Sequence, residues 1–213
     1  ISSAASDVYK RQARNNNGIG VCGVAGGDGT PNSGALLMSC QIFEGENGSG
    51  QSARATVYGA NNGAIISQNS WGYDYPGPGS IPASMREAID YFIKYAGCDN
   101  EGKQLSNSPM KGGVVIYAAG NDDKDYLSYP SAYPPVISVS AMAPNWEKAW
   151  YTNRGDWISI MAPGGDELFV NGMVYSTVPA SIYNGEKYGY MQGTSMACPH
   201  VSGIAAPVSY THL

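Results

Sequence analysis

The 213-residue chain carries 12 Lys+Arg against 17 Asp+Glu, a formal charge of −5, and 43% of its residues are hydrophobic. That composition supports one substantial core and excludes a disordered or fibrous chain. With only 14% charged residues, the chain has no basic face to neutralise phosphates, so nucleic acid is no partner, and no apolar run has the length of a bilayer span.

Residues 1–12 (ISSAASDVYKRQ) hold no apolar run and read as a non-native end. So do residues 207–213 (PVSYTHL), where Pro207 is expected to break a small-residue helix. Residues 13–206 are left as the informative domain. Within it, residues 35–43 predict a strand, followed by a Gly/Ser-rich loop over 45–50. Residues 52–61 predict a helix that Asn62-Gly63 caps, and 64–69 a second strand before a Pro/Gly loop over 72–82. The clearest amphipathic helix is 84–95, with Met85, Ala88, Ile89, Phe92 and Ile93 on one face. Residues 114–119 form a continuous apolar run of the kind buried on both faces of a parallel sheet. Residues 136–141 and 157–161 predict further strands, and a last helix follows Gly193 to about Ala206. Alternating β and α elements of this kind predict an α/β fold with a mainly parallel sheet.

The four cysteines, Cys22, Cys40, Cys98 and Cys198, show no CxxC pair and no metal-ligand spacing. They allow three disulfide pairings that nothing in the sequence separates. Three of them lie among apolar or small residues, which favours buried thiols. Gly18-x-Gly20-x-x-Gly23 fits a dinucleotide fingerprint literally, with Glu44 about twenty residues on. It follows Arg14-Asn15-Asn16-Asn17, which is no strand, so the helix-and-strand setting that binds a pyrophosphate is missing.

Gly193-Thr194-Ser195-Met196-Ala197 is not the GxSxG elbow, because Ala197 stands where a glycine is needed. A serine at the start of a helix nevertheless has its hydroxyl at the positive helix end and its own amide among the unpaired first-turn donors. An oxyanion formed by attack of Ser195 on an acyl group would find that amide nearby. Pro199 cannot donate to the Ser195 carbonyl, which loosens the early helix. A plain Thr/Ser cap is the simpler reading of these five residues alone.

The longer run from Gly193 to Gly203 (GTSMACPHVSG) resembles the nucleophile motif of subtilisin-like serine proteases. Asn16-Asn-Gly-Ile-Gly-Val-Cys-Gly-Val-Ala25, Asn69-Ser-Trp-Gly72, Ala118-Ala-Gly-Asn121, Tyr129-Pro-Ser-Ala-Tyr-Pro-Pro-Val136 and Met161-Ala-Pro-Gly164 resemble the same family in the same order. The resemblance implies a three-layer α/β/α fold, incomplete at both ends of this chain, and a partial catalytic domain over 13–206. It implies a serine endopeptidase in which Ser195 attacks the scissile carbonyl and Asn121, with Thr194 in support, holds the oxyanion. Asn121 suits that task because its amide donates without titrating, at the carboxyl end of a buried strand.

By the same resemblance, Ser70, Trp71 and Gly72 pair with substrate as an extended strand, while Ala118, Ala119 and Gly120 wall a primary pocket based on Ser128. Asp122, Asp123 and Asp125 read as a solvated loop face. Asn15, Asn17, Ile19 and Val21 match a calcium loop, through the Asn17 side chain and three carbonyls. A weaker cation site is implied at carbonyls of Ser131, Tyr133 and Val136. Implied too are protein or peptide substrates, a monomer, and a secreted or otherwise extracytoplasmic location. The family's catalytic Asp and His motifs have no match: residues 1–12 contain Asp7 but no histidine. His200, five residues after Ser195, lies roughly 140° round a helix from it, and His212 is in the tail. The chain is therefore expected to lack its base. A non-catalytic peptide-binding pseudoprotease is the alternative reading.

Overall fold

The computed structural model describes residues 13–31, 33–43, 48–74, 79–181 and 183–211. The chain-order elements are α1 (Gly48–Asn61), β1 (Ile66–Asn69), α2 (Ala83–Tyr95), β2 (Val114–Ala118), β3 (Ile137–Met142), β4 (Ile160–Pro163), β5 (Val174–Thr177), β6 (Tyr188–Met191) and α3 (Thr194–Thr211). Strands β1 to β4 form one parallel sheet in chain order, and β5 and β6 pair as an antiparallel ribbon.

The apolar run at β2 explains the layering. Its residues alternate across the sheet, as the two-residue repeat of a strand requires. Val115 and Tyr117 join Met85, Ala88, Ile89 and Phe92 of α2 in one buried cluster. Ile116 and Ala118 join Val139, Ala141 and Ala162 of the neighbouring strands, with Ala197 and Cys198 of α3, in another. Helices α1 and α2 thus cover one face and α3 the other. This is the expected three-layer α/β/α fold with a parallel sheet.

The amphipathic 84–95 segment forms a helix as its periodicity predicts, one residue longer at the start. Other expectations need correction. Residues 35–43 are not a strand. Leu36 is 90% exposed, and among the described residues no neighbouring strand offers this segment the ladder partners that its apolar pattern would need. Helix α1 begins at Gly48, inside the stretch read as loop. The strand expected at 157–161 is displaced to Ile160–Pro163, because Gly155 to Ile158 close a turn and the register with β3 starts at Ile160. The β5–β6 ribbon was not foreseen. Helix α3 continues through Pro207 to Thr211; a proline removes one donor and crowds one carbonyl, which bends or weakens a helix without always ending it. Residues 1–12, 212 and 213 lie outside the described residues. No helix among the described residues is long and apolar enough to cross a membrane.

Candidate active site

The carboxyl ends of β1 and β2 and the amino end of α3 meet at one edge of the sheet, the place where open α/β sheets hold ligands. Gly193, with φ +144°, turns the chain from β6 into α3. Its N–H is held twice, by the Gly164 carbonyl at 2.9 Å and by the Tyr151 hydroxyl at 2.9 Å. Tyr151 in turn donates toward the carbonyls of Gly164 and Gly165. Burial holds its phenol well above the ordinary value, against a small opposing effect of the Gly193 N–H and with a small reinforcement from Asp166.

Thr194, buried, and Ser195, half-buried, open α3. The Thr194 N–H donates to Asn121 Oδ1 at 2.8 Å and the Thr194 hydroxyl donates to the same oxygen at 3.0 Å. The hydroxyl also accepts the Gly120 N–H at 3.1 Å. A backbone N–H only donates, so the Asn121 atom facing Thr194 is the oxygen. Its Nδ2 is thereby turned outward, with no hydrogen-bond partner among the described residues. The Ser195 N–H, a first-turn amide, likewise has none. Two free donors at the positive end of a helix favour an incoming negative charge.

The Ser195 Oγ donates to the Ser70 carbonyl at 3.2 Å, and the Ser70 Oγ donates to the Ser195 carbonyl at 3.0 Å. Behind them Gln68 Nε2 donates to Ser70 Oγ at 2.6 Å and reaches Cys198 Sγ at 3.6 Å. Trp71 turns its indole inward, edge-on to Tyr117 at 5.2 Å, with Nε1 on Asn69 Oδ1 at 3.2 Å. The backbone at Ser70 passes beside the start of α3. Gly72 faces Tyr129 and Ser128, and the Tyr73 N–H donates to the Tyr129 carbonyl at 3.2 Å. Ser128, Ala118 and Ala119 are buried.

Ser195, Thr194, Asn121, Ser70 and Gly120 are thus brought together, with Gly72 and Ser128 beside each other. His200 is not part of the group. Its Nδ1 lies 2.8 Å from the Met196 carbonyl, which only accepts, so that nitrogen carries the proton and the ring is held along its own helix. His212 lies outside the described residues. All four cysteines are thiols; only Cys198 is buried, Cys40 and Cys98 are half-buried and Cys22 is exposed.

The loop of Asn15, Asn17, Ile19 and Val21 is organised by side-chain amides. Asn15 Nδ2 donates to the carbonyls of Gly23 and Gly27, and Asn17 Oδ1 accepts the Ile19 N–H at 3.0 Å. Asn15 Oδ1 is buried without a hydrogen-bond partner among the described residues. Calcium takes six to eight oxygens, usually with carboxylates. This loop offers neutral oxygens only, and no group of three or more His, Cys, Asp or Glu among the described residues is placed to hold a metal. These four residues alone do not fit a resident calcium ion.

Two residues outside the sequence reading matter to the site. Tyr151 fixes Gly193, and Asn153 binds the chain on either side of Asn121. Neither has a local signal: both follow a polar turn, and the partners that tie them to the site, Gly193 for Tyr151 and Ala119 for Asn153, lie 42 and 34 residues away in sequence.

The parallel α/β sheet thus places a serine at a helix amino end beside an asparagine amide whose oxygen is held by Thr194. The sequence profile of the Subtilase family matches residues 2–210, and the chain belongs to that family. It is 31% identical to a thermophilic serine proteinase of Bacillus sp. (strain AK1), over 91% of this chain and 39% of that protein. It is 32% identical to the major intracellular serine protease of Bacillus subtilis (strain 168), over 91% of this chain and 51% of that protein. Among solved structures, a protease of Pseudoalteromonas arctica PAMC 21717 matches 96% of this chain and 57% of its own, with a TM-score of 0.67 at 28% identity. The chain spans about half or less of the length of these two curated relatives.

Proposed function

We propose that this chain is part of a serine endopeptidase acting on protein or peptide substrates. Ser195 Oγ attacks the scissile carbonyl, forming a C–O bond as the carbonyl oxygen becomes an alkoxide. The Asn121 Nδ2 and the Ser195 N–H receive that alkoxide. Substrate lies extended along Ser70, Trp71 and Gly72, its backbone exchanging hydrogen bonds with that edge. Ala118, Ala119, Gly120 and Ser128 bound the side-chain pocket. The observation that carries this reading is the double restraint of Asn121 Oδ1 by Thr194, which holds the oxygen against the start of α3 and turns Nδ2 outward as a donor.

The proton of Ser195 needs an acceptor better than a carbonyl. In the full-length protein that base is a histidine outside the described residues, and the 213-residue chain by itself is inactive. An extracytoplasmic location fits the low charge and the proteinase relatives, although one relative is named as intracellular. No step runs through a metal, since the loop at Asn15, Asn17, Ile19 and Val21 supplies only neutral oxygens.

A peptide-binding pseudoprotease is the second reading, favoured by the Ser195 hydroxyl resting on the Ser70 carbonyl. The deciding experiment treats the full-length protein with a fluorophosphonate and follows hydrolysis of a generic peptide library. Labelling at Ser195 and turnover, both abolished in Ser195→Ala, support the peptidase. Saturable peptide binding with neither labelling nor turnover supports the pseudoprotease.

A further inference from the structure

Asn153 is wholly buried, yet every polar atom of its side chain is spent on the one loop that carries Asn121. Its Nδ2 donates to the Ala119 carbonyl at 3.0 Å and to Asp122 Oδ2 at 3.1 Å. Its Oδ1 accepts the N–H of Asp122 at 2.9 Å and of Lys124 at 3.2 Å. Two donors and two lone pairs are the whole capacity of a carboxamide. The Asn153 backbone N–H adds a bond to the Gly120 carbonyl at 3.0 Å. Residues 119, 120 and 122 are therefore all tied to Asn153, and Asn121 is the one residue among them that is not. Asn121 itself is exposed, so packing does not fix its backbone.

Gly120 completes the device. Its φ is +101°, and a Cβ there would stand 2.4 Å from Asn153 Nδ2. The chain can pass this close to the carboxamide only as glycine. Asp122 Oδ2 is further held by the Tyr126 hydroxyl at 3.0 Å, so the far side of the loop cannot swing away either.

We propose that Asn153 is a positioning residue for the oxyanion donor Asn121, an inference that rests on the peptidase reading above. Thr194 sets which way the Asn121 amide faces; Asn153 sets where its backbone stands. A donor displaced by a fraction of an ångström binds the ground-state carbonyl much as before and the alkoxide less well, so the loss falls on kcat.

The test is steady-state kinetics of the full-length protein on a peptide substrate. The variants are Asn153→Ser, Asn153→Asp, Asn121→Ala and the doubles, each checked for folding by near-UV circular dichroism. Asn153→Ser and Asn153→Asp are expected to lower kcat by roughly 10- to 100-fold, with KM within about twofold. In the Asn121→Ala background the same substitutions should cost less than about twofold, because the residue through which they act is gone. Should Asn153→Ser not fold, Asn153→Asp, which keeps the shape and both accepted bonds, carries the test. Equal losses in both backgrounds, or none in either, overturn the positioning role while leaving Asn121 in place. An Asn121→Ala protein with unchanged kcat overturns the oxyanion role of Asn121, and the positioning role with it, whereas a full-length protein with no turnover at all overturns the peptidase reading itself.

Discussion

Ser70 and Ser195, 125 residues apart in sequence, exchange two hydrogen bonds, each hydroxyl donating to the other's carbonyl at 3.0 and 3.2 Å. The cause lies four residues further on. An ordinary residue at position 199 would send its N–H back to the Ser195 carbonyl, and Pro199 has none to send. The Ser70 hydroxyl supplies the missing donor, so a break in the helix ladder becomes a tie between α3 and the end of β1.

Ser70→Ala removes that donor and leaves a half-buried carbonyl short of a partner. The expected loss is about 1–3 kcal/mol, or a fall in Tm of a few degrees for a domain of this size. Thermal unfolding of the full-length protein followed by circular dichroism measures it. An unchanged Tm would show that water serves the Ser195 carbonyl equally well.

Asn121→Ala leaves Thr194 without its acceptor and the alkoxide without one of its two donors. A fall in kcat of roughly 10²–10³ is expected, the size known for the corresponding asparagine of a subtilisin, with KM nearly constant. Initial rates across substrate concentrations separate the two constants. A raised KM at constant kcat would assign Asn121 to ground-state binding instead.

The pocket reading gives a specificity. Ser128, Ala118 and Ala119 are neutral and buried, and two of the three acids of the neighbouring loop, Asp122 and Asp123, are engaged elsewhere. Asp122 is bonded to Asn153 and Tyr126, and Asp123 pairs with Lys148 and Arg154. Cleavage after uncharged, apolar or aromatic residues should therefore exceed cleavage after Lys or Arg. Mass-spectrometric profiling of a peptide library checks this, and dominant cleavage after basic residues contradicts it.

The buried phenols give an alkaline limit. Burial raises the Tyr151 and Tyr117 phenols above the ordinary value of 10.0. A group whose folded pKa is raised contributes stability that is whole below its unfolded pKa and is lost as pH climbs toward the folded one. Tm is thus expected to fall progressively above about pH 10, and less steeply in Tyr151→Phe. A Tm–pH series from pH 8 to 11.5 compares the two slopes; equal slopes would remove Tyr151 from the account.

Much of the layering was legible in the sequence because β2 and α2 advertise their surroundings through side-chain pattern. Val115 and Tyr117 against Ile116 and Ala118 need only a two-residue alternation, and Met85, Ile89 and Phe92 only a helical one. Residues 35–43 carry a strand-like pattern too, but pairing depends on a neighbour that the pattern does not encode. The β5–β6 ribbon escaped for the opposite reason: Tyr188 to Met191 includes a glycine and little β-branched character, and cross-strand tyrosines such as Tyr175 and Tyr190, 4.6 Å apart, emerge only after pairing. Ser195 and Asn121 were readable from motif strings. Asn153 and Tyr151 were not, since their meaning lies in partners from distant segments.

Helix α3 lies against all four strands of the parallel sheet and follows all of them in the chain. On a ribosome β1 to β4 emerge first, with one flank of the sheet bare until α3 follows. A nascent chain therefore acquires Ser195, the Thr194 contacts that orient Asn121 and the core layer on that face together, when α3 docks. Contacts between such distant segments form slowly. Until α3 docks, Ser195 and Asn121 are not held beside each other.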